Sequence, residues 1–196
     1  MHSVDRPEVC WMSDDVVSRR GTLVAALMLA AGVAVALGVY GRVHDPSYAG
    51  LPSLGFSSAG TFKAWTTTVI LLLALWQLTS ALWLYGRMPG VGRAPAWLGT
   101  AHRASGTVAF LLSLPVAAYC LYGFGFSPEP FRARVLLHSL AGCAFYGAFA
   151  AKVLLVHSRR IPGWALPAAG GLLLTAVVLL WLTGAVWFFD IEGIHG

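Results

Sequence analysis

Five long uncharged runs of apolar residues set the hydropathy pattern of this chain. Each is long enough to cross a bilayer, since about 20 apolar residues in a helix span a hydrocarbon core of about 30 Å. None shows the two-residue alternation of barrel strands. The pattern predicts an all-α fold, an integral membrane bundle of five transmembrane helices. The runs are Gly21–Tyr40, Ala64–Gly86, Ala104–Pro128, Val135–Ala151 and Ile161–Phe189.

Charged residues are confined to the two ends of the chain and to the connections between the runs. The pattern predicts a disordered cytoplasmic tail over residues 1–20, a transmembrane domain over 21–189 and a short outer tail over 190–196. The longest connection, residues 44–63, predicts a loop over the outer rim. Short connections make the last three helices sequential antiparallel neighbours, and Pro115 predicts a kink in the third.

Composition and charge agree with a membrane protein. Hydrophobic residues make up 58% of the chain and charged residues only 11%, which excludes an ordinary soluble domain. The net charge of +5 does not indicate nucleic-acid binding, because the basic residues lie beside the apolar runs. With the N-terminus inside, nine Lys and Arg lie on the inner side and four on the outer side. The positive-inside rule therefore predicts a multi-pass protein of the cell membrane, with the N-terminus cytoplasmic and the C-terminus outside.

The first helix carries small residues at a spacing that favours close helix contacts. Gly32 and Ala36 are four residues apart, and so are Ala34 and Gly38. Small residues at this spacing let two helices approach closely. The pattern predicts packing within the bundle or against a partner subunit.

Two histidines within the predicted membrane helices are the first candidates for function, because ionisable groups are costly to place in lipid. Measured from Pro95, His102 lies about 10 Å into the third helix from the inner side. His138 lies about 12 Å into the fourth helix from the outer side. Since these helices run in opposite directions, the two histidines are expected near opposite leaflets, not on one metal atom.

Two candidate sites follow from these depths. The inner site combines His102 with Lys152 or His157 of the fourth helix, which point about 140° apart, so that only one faces the third helix. The outer site combines His138 with Tyr119, or with rim residues His44 or His195. A plain structural role stays open for each histidine, as a hydrogen bond between helices, and for Lys152, which can extend its ammonium to the headgroups.

Two histidines from adjacent helices at one depth suit a b-type haem, whose iron takes an axial imidazole on each face. The apolar bundle would receive the porphyrin, and Arg103, Arg159 and Arg160 are candidates to hold its propionates. The pattern thus predicts haem b between the third and fourth helices, with a quinone as a further candidate ligand.

The stretch His102-Arg103-Ala104-Ser105-Gly106 opens a span and resembles a helix start in bacterial cytochrome b561-type proteins. His138 near the start of the next helix is also similar. Ferric-reductase-like cytochromes of this kind carry two histidines fourteen residues apart on each of two helices. The matching positions here hold Val116 and Lys152, so the resemblance implies no more than one haem.

A second resemblance covers more of the chain, from Lys63 to Phe189, and points to an uncharacterised five-helix membrane family of actinobacteria. It is carried by three short stretches and implies the five-helix fold without an activity. The stretches are Lys63-Ala64-Trp65, Leu84-Tyr85-Gly86-Arg87 and Pro162-Gly163-Trp164-Ala165-Leu166-Pro167.

These observations favour a small membrane electron-transfer protein that binds haem b and acts on a quinone or a partner redox subunit. The alternative is a cofactor-free accessory subunit of a larger respiratory complex, docked through the small-residue face of the first helix. A small transporter is a third hypothesis, and it is weaker because the chain has no internal repeat. The sequence shows no phosphate loop, metalloprotease helix or nucleophile elbow, so it does not decide whether the protein is an enzyme.

The predicted orientation is directly testable. A reporter enzyme that works only outside the cytoplasm, fused after Gly196, should be active because the basic residues hold the C-terminus outside. Activity of a cytoplasm-specific reporter at the same position would contradict the orientation.

Overall fold

Five long helices make up the computed structural model, which describes residues 8–47, 52–125, 133–158 and 161–194, with the backbone alone for 8–18. Each is long and apolar enough to cross a membrane, and no strand occurs in the described ranges. The predicted all-α fold with five spans is confirmed. The helices are α1 (Glu8–Val43), α2 (Ala59–Leu84), α3 (Leu98–Ala118), α4 (Ala133–His157) and α5 (Ala165–Leu180).

Two of these helices continue through a π-helical turn. The turn after α3 spans Tyr119–Phe124, and the turn after α5 spans Trp181–Val186 and leads into a short last helix, α6 (Trp187–Glu192). Both turns lie at the end of the bundle that holds the C-terminal end of α1. We call this the outer end, after the predicted orientation. Pi-helical turns are rare and occur frequently at functional sites.

Helix boundaries differ from the hydropathy boundaries at both ends of the chain. Helix α1 begins at Glu8, although residues 1–20 were expected to be disordered, and α6 extends to Glu192 into the expected outer tail. A helix that has nucleated extends by one hydrogen bond per residue, whether or not the added residues are apolar. At α2, by contrast, a local signal sets the start, because Ser58 Oγ accepts a 3.1 Å hydrogen bond from the Thr61 amide.

The packing order of the helices corrects one expectation. Helix α4 packs on α1 and on α5, and α2 packs on α3 and α5. The antiparallel neighbours α4 and α5 are as expected, but the backbones of α3 and α4 hardly approach each other within the described residues. Side chains bridge the gap between them: the rings of Phe110 and Phe149 stack at 3.9 Å, and the Tyr146 hydroxyl donates a 2.9 Å hydrogen bond to the Ser113 carbonyl.

One of the two small-residue pairs on α1 is used for packing inside the bundle. A Cβ atom on Gly147 of α4 would lie 2.4 Å from the Ala30 carbonyl oxygen and 3.3 Å from Ala34 Cβ, and one on Gly38 would lie 3.9 Å from Cys143 Sγ. The other pair has no such neighbour. A Cβ atom on Gly32 would meet nothing within 4 Å, and Ala36 is exposed.

The outer surface of the bundle is apolar, as lipid contact requires. On α1 alone, Leu27 and Met28 are each 69% exposed. Apolar side chains of this kind are compatible with contact to lipid acyl chains, which are as apolar as leucine. The described surface therefore fits a multi-pass protein in direct contact with the bilayer.

The contact between α1 and α4 gives a matched pair of test variants. Gly147→Ala should lower the free energy of unfolding by about 1–3 kcal/mol, because the added methyl group overpacks a helix interface. Gly171→Ala on α5, where a Cβ atom would meet nothing within 4 Å, should cause no loss, since alanine favours a helix over glycine. Thermal unfolding in detergent micelles measures both. Equal melting temperatures for the two variants would contradict the close α1–α4 contact.

Candidate functional site: a cavity beside His138

A cavity of about 790 Å³ lies between α2, α3, α4 and α5, towards the outer end. Its volume falls in the range of about 300–1,000 Å³ that is usual for small-molecule and cofactor sites. On α2 its lining runs from Gly60 to Ile70, which is ten residues and about 15 Å along the helix. Most of the lining is apolar, and its charged or titratable groups are Lys63, Cys120, Arg134, His138, Cys143, Tyr146 and Glu192.

The cavity exists because α3 stands away from α4 at this level. Val116 and Cys120 line it from the α3 side, and His138 and Gly142 line it from α4. Deeper in the bundle, the stacked rings of Phe110 and Phe149 fill the same gap. The space is thus closed at the middle of the bundle and extends towards the outer end.

The His138 ring is held in one tautomer by Thr183, in the π-helical turn after α5. His138 Nδ1 and Thr183 Oγ1 are 2.9 Å apart. The Thr183 hydroxyl donates its only hydrogen to the Leu179 carbonyl, so it must accept the hydrogen of Nδ1–H. In the neutral ring, Nε2 then carries a lone pair, and no other described residue contacts it with a hydrogen bond. The imidazole is therefore prepared to accept a hydrogen bond or to bind a metal ion.

The next residue, Gly184, makes room for this ring. A Cβ atom there would lie 2.9 Å from His138 Cε1, which is closer than real side chains approach. The main chain of the same turn also binds α4, since Arg134 Nη1 donates a 2.7 Å hydrogen bond to the Thr183 carbonyl. Thr183 thus holds His138 through its side chain and Arg134 through its backbone.

Two cations flank the cavity, and each lies over an aromatic ring. Lys63 Nζ is 3.8 Å from the centre of the Phe124 ring, and the Arg134 guanidinium carbon is 3.7 Å from the centre of the Trp187 ring. Both residues line the cavity together with His138. Within the described residues, Lys63 forms no ion pair with a carboxylate. The outer end of the cavity is therefore a positively charged environment around one imidazole.

His102 lies at the other end of the bundle and faces α2 rather than α4. Its Nδ1 is 2.8 Å from Ser80 Oγ, and the Ser80 hydroxyl donates a 2.6 Å hydrogen bond to the Trp76 carbonyl. By the same reasoning His102 donates from Nδ1, so its ring is held as that of His138 is. Its backbone carbonyl accepts a hydrogen bond from Gln77. His102 does not line the cavity.

The inner candidates are not assembled into one site. His157 is exposed, and its Nδ1 is 2.8 Å from the carbonyl of Val153 in its own helix. Lys152 is half-buried on α4. Arg103 is exposed and contacts Thr100 Oγ1 of its own helix at 3.3 Å.

The remaining outer candidates lie away from the cavity or outside the described residues. Tyr119 is buried, but its hydroxyl donates to the Pro52 carbonyl, and it does not line the cavity. His44 stacks on Tyr40, with ring centres 5.1 Å apart. Three further candidates fall outside the described residues, namely Arg159, Arg160 and His195.

Four residues of the site were missed by the sequence reasoning. Lys63 and Arg134 were counted only for topology, and Thr183 and Gly184 stood unnoticed within a long apolar run. The available signal was the pair Thr183-Gly184 near the outer end of the fifth span, where a hydroxyl and a glycine interrupt bulky apolar residues. A polar residue and a small residue together are typical of helix contacts in membranes.

Residues 23–196 match the model of a family described as DUF6529, a family of unknown function. The chain belongs to the DUF6529 family. The matched region of this DUF6529 protein contains all of the cavity residues named above. No curated protein and no solved structure matches it. Within the described ranges, no three His, Cys, Asp or Glu residues are grouped to hold a metal ion.

The hydrogen bond between His138 and Thr183 can be tested without knowing the ligand. Thr183→Val should lower the free energy of unfolding by about 1 kcal/mol, because it leaves Nδ1–H without an acceptor, and such bonds in membranes average less than 2 kcal/mol. Thr183→Ser keeps the hydroxyl and should retain most of the stability. Thermal unfolding in detergent measures both, and a Val variant as stable as the Ser variant would argue against the bond.

Proposed function

We propose that this DUF6529 protein is a membrane electron-transfer protein that binds one haem b in the cavity beside His138. The observation that supports this most directly is the His138 ring in the wall of an apolar cavity. Its Nδ1–H is bound by Thr183 Oγ1 at 2.9 Å, which leaves the Nε2 lone pair for iron. Histidines that bind metals almost always donate their other ring N–H in this way.

The residues around the cavity fit the three chemical parts of haem. The apolar lining suits the porphyrin, and His138 suits the iron as an axial imidazole. Lys63 and Arg134 suit the two carboxylates, since charge-assisted hydrogen bonds to carboxylates are strong. When bound, haem supplies one-electron transfer at its iron. The site involves four helices rather than the gap between α3 and α4 alone.

The side chains of the protein have separable tasks in this proposal. His138 holds the iron, and Thr183 fixes the ring orientation through the hydrogen bond at Nδ1. The cations Lys63 and Arg134 raise the reduction potential, because positive charge nearby favours the electron. The apolar lining would keep water away, and haem held there would supply one-electron transfer to a quinone in the bilayer or to a partner redox subunit.

His102 is not assigned to the haem. Its ring contacts Ser80 on α2 at 2.8 Å, and it lies at the end of the bundle opposite to His138. The neighbouring candidates His157, Lys152 and Arg103 are likewise far from the cavity, which none of them lines. We therefore propose a single haem, bound at the outer site beside His138, and none at the inner site.

A cofactor-free accessory subunit of a larger respiratory complex is the second candidate. One observation favours it: Gly32 and Ala36 form a small-residue pair on the exposed side of α1. Such pairs let another helix approach closely in a membrane. The two candidate functions differ in whether the purified protein contains haem.

An optical spectrum tests the proposed function. The purified protein reduced with dithionite should show the sharp α band of a b-type haem. His138→Ala should abolish the band or reduce it strongly, because it removes the axial ligand. His102→Ala is the matched control and should keep the spectrum, since its ring contacts α2.

Two more variants separate the outer site from the inner residues. His157→Ala and Lys152→Met should both leave the spectrum unchanged, because neither residue lines the cavity. A purified protein without extractable porphyrin would support the accessory-subunit function instead. A haem lost in His102→Ala but kept in His138→Ala would move the site to the inner end.

A further inference from the structure

Lys63 and Arg134 face the cavity from two different helices, α2 and α4. Each is held by a ring from a different helix, Phe124 in the π-helical turn after α3 and Trp187 in α6. The two cations are thus fixed in direction by four elements that surround the outer end of the cavity. Cations that only contacted lipid headgroups would not need aromatic rings from other helices to fix their direction.

The position of Lys63 is costly unless something compensates its charge. It is half-buried in a segment of α2 that is long and apolar enough to cross the membrane. The ring of Phe124 offers this ammonium a cation–π contact. Charged groups within membrane spans are functional candidates by default, and they pair with other charges. The geometry calls for a negative group beside Lys63.

We propose that Lys63 and Arg134 together bind two carboxylates of one ligand, one at each cation. This rests on the proposed function, and it makes them the residues that select a diacid porphyrin. The ligand would lie with its acidic edge at the outer end and its apolar body towards Ser113 and Tyr146, at the deep end of the cavity. The carboxylates would therefore face the outer side, opposite to the inner arginines suggested by the sequence.

Glu192 sharpens the recognition of charge. It is exposed, and it lines the same end of the cavity, where its carboxylate repels an incoming acid. Among the described lining residues at this end, Lys63 and Arg134 are cationic and Glu192 is anionic. A change at Glu192 should act in the opposite direction to a change at Lys63.

Binding of two porphyrins that differ only in charge tests this selection. The full-length protein, purified without haem in detergent, is titrated with iron protoporphyrin IX and with its dimethyl ester, and absorbance follows binding. The ester keeps the iron and the apolar body but has no carboxylates. We expect the diacid to bind roughly a hundredfold more tightly than the ester, about tenfold for each charge-assisted contact.

Variants of the three charged residues at the outer end of the cavity complete the test. Lys63→Met should weaken the diacid about tenfold and leave the ester unchanged, whereas Glu192→Gln should strengthen the diacid. Arg134→Lys keeps the charge but loses the fork of N–H donors, so it should weaken the diacid less than Lys63→Met does. Lys152→Met, at the inner end, is the matched control and should change neither affinity.

The possible failures are distinguishable. If the ester and the diacid bind the unaltered protein equally, or if Lys63→Met weakens both alike, the selection by charge is wrong while haem binding stands. If Lys152→Met weakens the diacid and Lys63→Met does not, the acidic edge faces the inner end. If neither porphyrin binds the unaltered protein, the proposed function fails together with this inference.

Discussion

The close contact of α4 with α1 is the constraint on which the rest of the structure depends. Gly147 lies so near the Ala30 carbonyl that a single methyl group would overlap it. Helix α4 packs against α1 and α5, and its backbone hardly approaches α3 within the described residues. The aromatic pair Phe110 and Phe149 spans the resulting gap at the middle of the bundle. Nearer the outer end the gap stays open, and it forms the cavity beside His138.

A second constraint acts on every polar group in the bundle, because lipid offers no hydrogen bonds. Both intramembrane histidines meet it in the same way. Each donates from Nδ1 to a hydroxyl on a neighbouring helix, and that hydroxyl donates to a carbonyl four residues earlier in its own helix. Among the described residues, no fully buried side-chain nitrogen or oxygen lacks a partner. The two imidazoles differ in what surrounds them: His138 lines a cavity flanked by Lys63 and Arg134, and His102 packs against α2.

This difference explains why one of two equivalent-looking histidines is the better candidate for a ligand site. The sequence places both near the start of a span and gives no reason to prefer either. A cavity, two supported cations and a fixed tautomer come together only at His138. The π-helical turn after α5 supports His138 and Arg134 together. Its Thr183 forms hydrogen bonds with both residues, and its Gly184 leaves space for the His138 ring.

The sequence by itself determined the class of protein, the five spans and the placement of His102 and His138 towards opposite ends. The bilayer fixes the length and apolarity of a span, and a regular rise per residue fixes depth along it. The sequence also identified Ala34 and Gly38 as a packing surface, but it did not identify α4 as the helix that packs on it. Only the tertiary structure decided which helices touch, that α3 stands away from α4, and that Thr183 holds His138. These features depend on packing between segments distant in the chain. A π-helical turn also breaks the regular angular spacing that sequence reasoning uses to assign helix faces.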